Sequence, residues 1–306
     1  MTTQPGDTAT GRHGTGAAGR WVGPEGAESA AASPAELLEI AVIAAREAGE
    51  LLTDGDGEVA VAATKSSPTD VVTEMDRRSE ELITRRLLAA RPADAILAEE
   101  GGASAAGGSR AGGETSPVRW VIDPIDGTVN YLYGLADWAV SIAAEVAGTV
   151  VAGVVHLPRH GETFTATLGG GAWLARAGRA PVALRARPGV QLSQALVATG
   201  FGYLAARRKI QGEVVAALLP LVRDIRRGGA ASVDLCSVAA GRVDAYYERG
   251  LNYWDYAAGA LIAAEAGAVV AGLSGPPGGS MTIAAAPTLF AELSAALAAL
   301  RPERDA

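Results

Sequence analysis

The chain has 306 residues, 49% of them hydrophobic and 20% charged, which supports a sizeable core in one large domain or two smaller ones. Its net charge of −8 excludes nucleic acid as a main partner, so a bound phosphate needs metal ions or a few placed groups. One cysteine, Cys236, excludes an intramolecular disulfide and a cysteine-rich zinc site; three histidines, His13, His156 and His160, leave little for a histidine metal centre or a Ser-His-Asp triad.

No window of ~18 uncharged apolar residues is present, so no membrane span is expected. The N-terminus has no basic segment followed by an apolar one, so no signal peptide is expected and a cytoplasmic enzyme is the default. Residues 1–33, rich in Gly, Thr, Ala and Pro, read as a disordered tail. Helical spacing starts at Pro34, with Ser33 as the N-cap, and runs through Leu37, Ala41, Ala44 and Ala45.

A short strand is expected near Val59–Ala63, then the segment Lys65-Ser66-Ser67-Pro68-Thr69-Asp70, then a helix over about 71–90. Ala95–Ala98 reads as a strand that delivers Glu99 and Glu100, and Gly101–Gly113 as a flexible surface loop. Val118–Ile122 is a buried-strand pattern leading into Asp123. Strand-like runs at 139–146, 150–156, 163–167 and 172–174, separated by glycine-containing turns, suggest an antiparallel sheet. Beyond them, helical patterns near 207–218, 230–240, 254–266 and 288–299 alternate with strands near 197–199, 244–247, 268–270 and 282–285. The pattern is an α+β half followed by an α/β half, with no internal repeat.

The strongest chemical feature is Asp123-Pro124-Ile125-Asp126-Gly127-Thr128. Two carboxylates at a strand end suit hard, oxygen-loving cations such as Mg²⁺. Pro124 fixes a backbone angle, Gly127 permits a tight turn, and Thr128 opens a helix whose N–H groups favour phosphate. An Asx-rich turn capping a helix is the plainer alternative. Glu99 ends the preceding strand, and Asp255 follows Trp254 at the start of an apolar helix. Each alone reads as a surface carboxylate or an N-cap; their joint occurrence favours a metal site. A dinucleotide-binding reading fails, because Gly169-Gly170-Gly171 does not stand between a strand and a crossover helix.

The Asp123–Thr128 motif together with Trp254-Asp255-Tyr256-Ala257-Ala258-Gly259 resembles the inositol monophosphatase family of Mg²⁺-dependent, lithium-sensitive phosphatases. Supporting segments follow in order: Lys65–Asp70, Thr73–Asp76, Ala98-Glu99-Glu100 and Asp244–Glu248. The resemblance covers about 34–300. It implies the layered α-β-α-β-α sandwich of the inositol monophosphatase and fructose-1,6-bisphosphatase type. The expected parts are a metal-binding half over 34–187, an α/β half over 188–300 that completes the site, and a C-terminal tail over 301–306. It also implies a homodimer.

The same resemblance implies roles. Glu99, Asp123 and the carbonyl of Ile125 hold one Mg²⁺; Asp123, Asp126 and Asp255 hold a second; a third leans on Glu99 through waters. Thr128 orients the attacking water, with Asp76 paired to it and Glu99 nearby to take the proton. Asp126, Gly127, Thr128, Arg226, Gly229, Ala231, Glu248 and Asp255 bind substrate, and Glu248 accepts hydrogen bonds from a polyol. Lys65 is either near the phosphate or a solvated lysine. The continuation Val129-Asn130-Tyr131 points to myo-inositol 1-phosphate as the small-molecule phosphate monoester. Histidinol phosphate, sugar bisphosphates and nucleotide 3′-phosphates are the enzymatic alternatives. A role in an RNA-associated complex is the non-enzymatic one. Ala230 departs from the family's hydroxyl residue, which implies one missing contact, and Ala136 stands where proline is frequent.

Overall fold

A computed structural model describes residues 32–54, 61–64, 71–104 and 116–304. Most of the expected tail, the Lys65–Asp70 segment and most of the Gly101–Gly113 loop lie outside the described residues.

Helix α1 (Pro34–Asp54) begins where expected. The Ser33 and Glu36 side chains each accept from the other's backbone N–H, at 3.3 and 2.7 Å, which satisfies two amides that the first turn leaves open. A two-stranded ribbon, β1 (Val61–Thr64) and β2 (Val71–Thr73), comes next. Helix α2 (Glu74–Ala90) therefore starts three residues later than the expected 71. The β-branched run Val71-Val72-Thr73 stays extended, and Thr73 closes a capping box with Asp76.

Strands β3 (Ala95–Ala98), β4 (Gly102–Ser104) and β5 (Val118–Asp126) follow, then one helical turn, α3 (Thr128–Leu132). Strands β6 (Ala139–Val146), β7 (Thr149–Leu157), β8 (Glu162–Thr167), β9 (Gly171–Arg176) and β10 (Val182–Ala183) complete an eight-stranded sheet. Its order is β10-β9-β8-β7-β6-β5-β3-β4, antiparallel except where β3 lies parallel to β5. The second half contains β11 (Leu196–Thr199), α4 (Ala205–Leu218), β12 (Asp224–Arg226), α5 (Ala231–Ala239), β13 (Ala245–Glu248), α6 (Tyr253–Glu265), β14 (Val269–Ala271), β15 (Thr282–Ala285) and α7 (Pro287–Leu300). Its five strands form a mixed sheet in the order β12-β11-β13-β15-β14.

Strand periodicity explains the layering. Trp120, Ile122, Val140, Ile142 and Val154 point to one face of the large sheet and join the core beneath α1 and α2. Val121, Ala139, Ala143, Val155 and Phe164 point to the other face, under α5 and α6. Both faces are covered, so these strands read as nearly continuous apolar runs. In the small sheet, Ala198, Tyr246 and Ala284 face α5 and α6, whereas Val197, Tyr247 and Ile283 face α4 and α7. The order of layers is α1/α2, large sheet, α5/α6, small sheet, α4/α7, the expected five-layer sandwich.

One half-buried histidine tunes this core to pH. His156, on β7, places Nδ1 3.1 Å from the Glu162 carbonyl and 3.0 Å from Thr163 Oγ1. Burial pushes its pKa down to about 4, and Arg46 adds to the depression. The unfolded chain therefore binds a proton near pH 6.5, where the folded protein does not. Stability is full above pH 6.5 and falls as the pH drops towards 4, by about 3 kcal/mol over that interval. Denaturation across this range is expected to show a shallower slope for His156→Gln than for the natural chain.

Candidate active site

The Asp123–Thr128 motif occupies the end of β5, where the ladder to β6 is irregular. Asp123 pairs with Ser141 and Asp126 with Ala139, so three steps on β5 match two on β6. This is a β-bulge, and Pro124, which has no N–H to give a ladder, lies inside it. In an unbroken strand, side chains three apart point to opposite faces. With the bulge, Asp123 and Asp126 both line one cavity of about 400 Å³. Gly127 then turns the chain at φ +90°, and a Cβ there would lie 3.1 Å from the Ala230 Cβ and from the Asp137 carbonyl. Both the backbone angle and the space call for glycine.

Most of the expected site residues meet in this cavity. Glu99 enters from the end of β3, Ile125, Gly127 and Thr128 from the motif, Gly229 and Ala231 from the start of α5, Glu248 from β13 and Asp255 from α6. Asp76 is fully buried behind the wall: its Oδ1 accepts from Thr128 Oγ1 at 3.2 Å, and its Oδ2 accepts from the Thr73 amide and hydroxyl. Thr128 Oγ1 also lies 3.0 Å from the Ile125 carbonyl. Asp76 is thus no solvated helix residue but a joint between α2 and the motif.

Arg226 is a correction. It ends β12 with its guanidinium on Asp224, 2.5 Å away, and it does not line the cavity. Arg227, one residue on, does line it, because adjacent residues of an extended segment point to opposite sides. Arg227 lies over the Phe201 ring at 6.0 Å, and Arg207 of α4 also lines the cavity. The doubled Arg226-Arg227 carried this signal; Arg207, in an ordinary amphipathic helix, carried none.

Ala230 shapes the start of α5. As N-cap of α5 it has no side chain to accept the helix amides. Asp126 takes that place across 105 residues: Oδ1 accepts from Ala231 N at 3.2 Å, and Oδ2 from Ser232 N at 2.7 Å and Ser232 Oγ at 2.5 Å. The hydroxyl at this helix start is that of Ser232, and it is held by Asp126. At α6, Asn252 is the N-cap and forms a capping box with Asp255, whose Oδ2 accepts from Asn252 N at 2.6 Å. Asn130 ties α3 to its surroundings, donating to the Asp137 carbonyl at 2.6 Å and the Gly228 carbonyl at 2.9 Å.

Electrostatics set this wall apart. Burial, then the neighbouring charges of Glu99, Asp126 and Asp255, hold the Asp123 carboxyl well above the carboxylate range. Asp255 is raised in the same way, by burial and then by Glu99 and Asp126. Asp126 is pushed up to about 6 by burial, against the pull of its Ser232 hydrogen bonds. Glu248 reaches about 7, chiefly through burial, although Tyr246 donates to it at 2.7 Å. Four acidic side chains, Glu99, Asp123, Asp126 and Asp255, line this cavity together with Ile125, and carboxylate and carbonyl oxygens are the donors that hard divalent cations take. Their mutual repulsion is what such a cation relieves. Among the described residues no group of three or more His, Cys, Asp or Glu side chains is gathered closely enough to hold a metal ion by itself.

Layers and pocket together define a layered α/β sandwich enzyme. The sequence matches the inositol monophosphatase family over residues 33–304. It is 51% identical over 246 residues to the inositol-1-monophosphatase SuhB of Mycobacterium tuberculosis, covering 79% of this chain and 83% of that one. It is also 38% identical over 262 residues to the Nus factor SuhB of Pasteurella multocida, covering 84% and 94% of the two chains. The solved structure of Mycobacterium tuberculosis SuhB superposes with a TM-score of 0.74 at 43% identity, over 89% of this chain and 99% of that one. The chain belongs to the inositol monophosphatase family and is a phosphoric monoester hydrolase.

Proposed function

We propose that the protein hydrolyses myo-inositol 1-phosphate to myo-inositol and phosphate in a Mg²⁺-dependent, lithium-sensitive reaction. The observation that carries this reading is the convergence of Glu99, Asp123, Asp126 and Asp255 on one cavity beside Thr128 and Glu248. Glu99, Asp123 and the Ile125 carbonyl would hold one ion, and Asp123, Asp126 and Asp255 a second; a third would lean on Glu99 through waters. When bound, such ions lower the pKa of a water, neutralise the phosphate and stabilise the leaving alkoxide.

The chain's own groups supply the rest. Thr128 Oγ1 has one proton, which it can give to Asp76; its lone pairs then accept from a water and fix the direction of attack. Asp76, raised to about 6 mainly by burial, is basic enough to share a proton through Thr128, and Glu99 lies on the same wall. Glu248 accepts from the hydroxyls of the polyol. No side chain forms a covalent bond to phosphorus.

A second reading is favoured by one observation. Arg207 and Arg227 face the cavity, and among the described residues neither is paired with a carboxylate, whereas Arg226, Arg242 and Arg304 are. These cations suit a substrate with a second anionic group, such as a sugar bisphosphate. The RNA-associated role has no such support on this acidic surface; a pull-down recovering transcription or ribosome components would bring it forward. A homodimer in the cytoplasm fits the family reading.

Phosphate release from a panel of phosphomonoesters, with and without Mg²⁺ and Li⁺, tests the assignment. Mg²⁺-dependent release that Li⁺ suppresses, with inositol 1-phosphate leading in kcat/KM, is expected. No Mg²⁺-dependent release from any ester would overturn it.

A further inference from the structure

Helix α2 touches the candidate site at three points, one from each of three side chains on a single face. Asp76, Ser79 and Glu80 stand at i, i+3 and i+4. Asp76 holds the Thr128 hydroxyl at 3.2 Å. Ser79 Oγ donates to the Pro124 carbonyl, inside the bulge, at 3.1 Å. Glu80 reaches the third segment: its Oε2 accepts from Glu100 N and its Oε1 from Gly101 N, both at 2.8 Å.

We propose that Glu80 is a positioning residue that clamps the turn after β3 and so sets the Glu99 carboxylate in the cavity. The proposal rests on the reading of Glu99 as a metal-holding group. Glu99 is pinned on one side by its own N–H, which reaches the Ile122 carbonyl on β5 at 3.3 Å. On the other side, the two amides that follow it are taken by one carboxylate. A residue whose backbone is tied before and after has few directions left for its side chain.

The residue type is specific to this task. Only a carboxylate offers two acceptor oxygens to two successive N–H groups; a glutamine offers one oxygen and would set its own NH₂ against the second amide. A carboxylate here is also costly, since Glu80 lies near Glu99 and Glu100 and is partly buried. The approach is close as well: a Cβ on Gly101 would fall 2.8 Å from Glu80 Oε1.

The experiment compares the natural chain with Glu80→Gln, Glu80→Ala and Gly101→Ala. Gly101→Ala displaces the Glu80 carboxylate from the opposite side without altering α2. Amide hydrogen exchange at residues 100 and 101 is read in the metal-free protein, and Mn²⁺ affinity is read by electron paramagnetic resonance. In all three variants these amides should exchange faster, and Mn²⁺ affinity should fall by roughly 10- to 100-fold, as when outer-shell support of a metal ligand is lost. Mg²⁺ needed for half-maximal phosphate release should rise in step, with kcat at saturating Mg²⁺ largely recovered. Glu80→Gln should fall between the natural chain and Glu80→Ala. Mn²⁺ affinity within twofold of the natural chain in folded variants, or unchanged exchange at both amides, overturns the clamp and leaves the phosphatase reading intact. A natural chain that binds no Mn²⁺ overturns the phosphatase reading and the clamp with it.

Discussion

Asp123→Asn is expected to remove nearly all phosphatase activity while leaving a folded, slightly more stable protein. Asp123 is the member of the wall closest to being shared: it is buried, and three acidic neighbours, Glu99, Asp126 and Asp255, bear on it. An amide of the same shape can still accept from Ile125 N, the bond now made at 3.1 Å, but it brings no charge to a bound cation. Losing several kcal/mol of transition-state charge stabilisation corresponds to a drop in kcat/KM of roughly 10³-fold or more. In metal-free buffer, removing an ionisable group that burial and its acidic neighbours disfavour should raise unfolding stability by about 1 kcal/mol. Kinetics and denaturant unfolding on the same sample check both. A variant with natural activity would remove Asp123 from the site. One that is inactive and also unfolded would point to a structural role instead.

Asp126→Ala is expected to cost both activity and stability. The Asp126 carboxylate satisfies three buried donors at the head of α5, and the helix has no local cap to replace it. Losing a charged acceptor for these groups should destabilise the protein by about 3 kcal/mol, with a matching fall in the denaturation midpoint. Activity should drop as severely as in Asp123→Asn, because the same carboxylate lines the cavity. Ser232→Ala separates the two effects: it removes one hydrogen bond to Asp126, so it should cost about 1 kcal/mol and leave most activity in place. Loss of activity without loss of stability in Asp126→Ala would deny the capping role.

The two variants show how unevenly the site can be read from sequence. The motif's residues, its place after an apolar strand and the candidate partners Glu99 and Asp255 are all visible in the order of residues. Three apart on a strand, however, Asp123 and Asp126 would diverge, and only the bulge at Pro124 turns them the same way. Ala230 gives α5 no cap of its own, and Asp126 supplies one from another part of the chain. Arg226 and Arg227 are equivalent on paper; the direction of a three-residue strand separates them. Helix α2 starts later than its amphipathic pattern suggests, because the β-branched Val71-Val72-Thr73 stays extended and the capping box sets the boundary.

By itself the sequence determined the buried strand that leads into Asp123, where most helices lie, and which carboxylates were available to chemistry. Apolar periodicity and strand-end acids are local properties, written in neighbouring residues. Tertiary structure alone decided which of those groups meet. Asp76 reaches Thr128 across 52 residues, Asp126 reaches Ser232 across 106, and Glu80 reaches Gly101 across 21. No local pattern encodes such pairs, because each exists only once two elements have packed and their facing donors and acceptors must satisfy one another away from water.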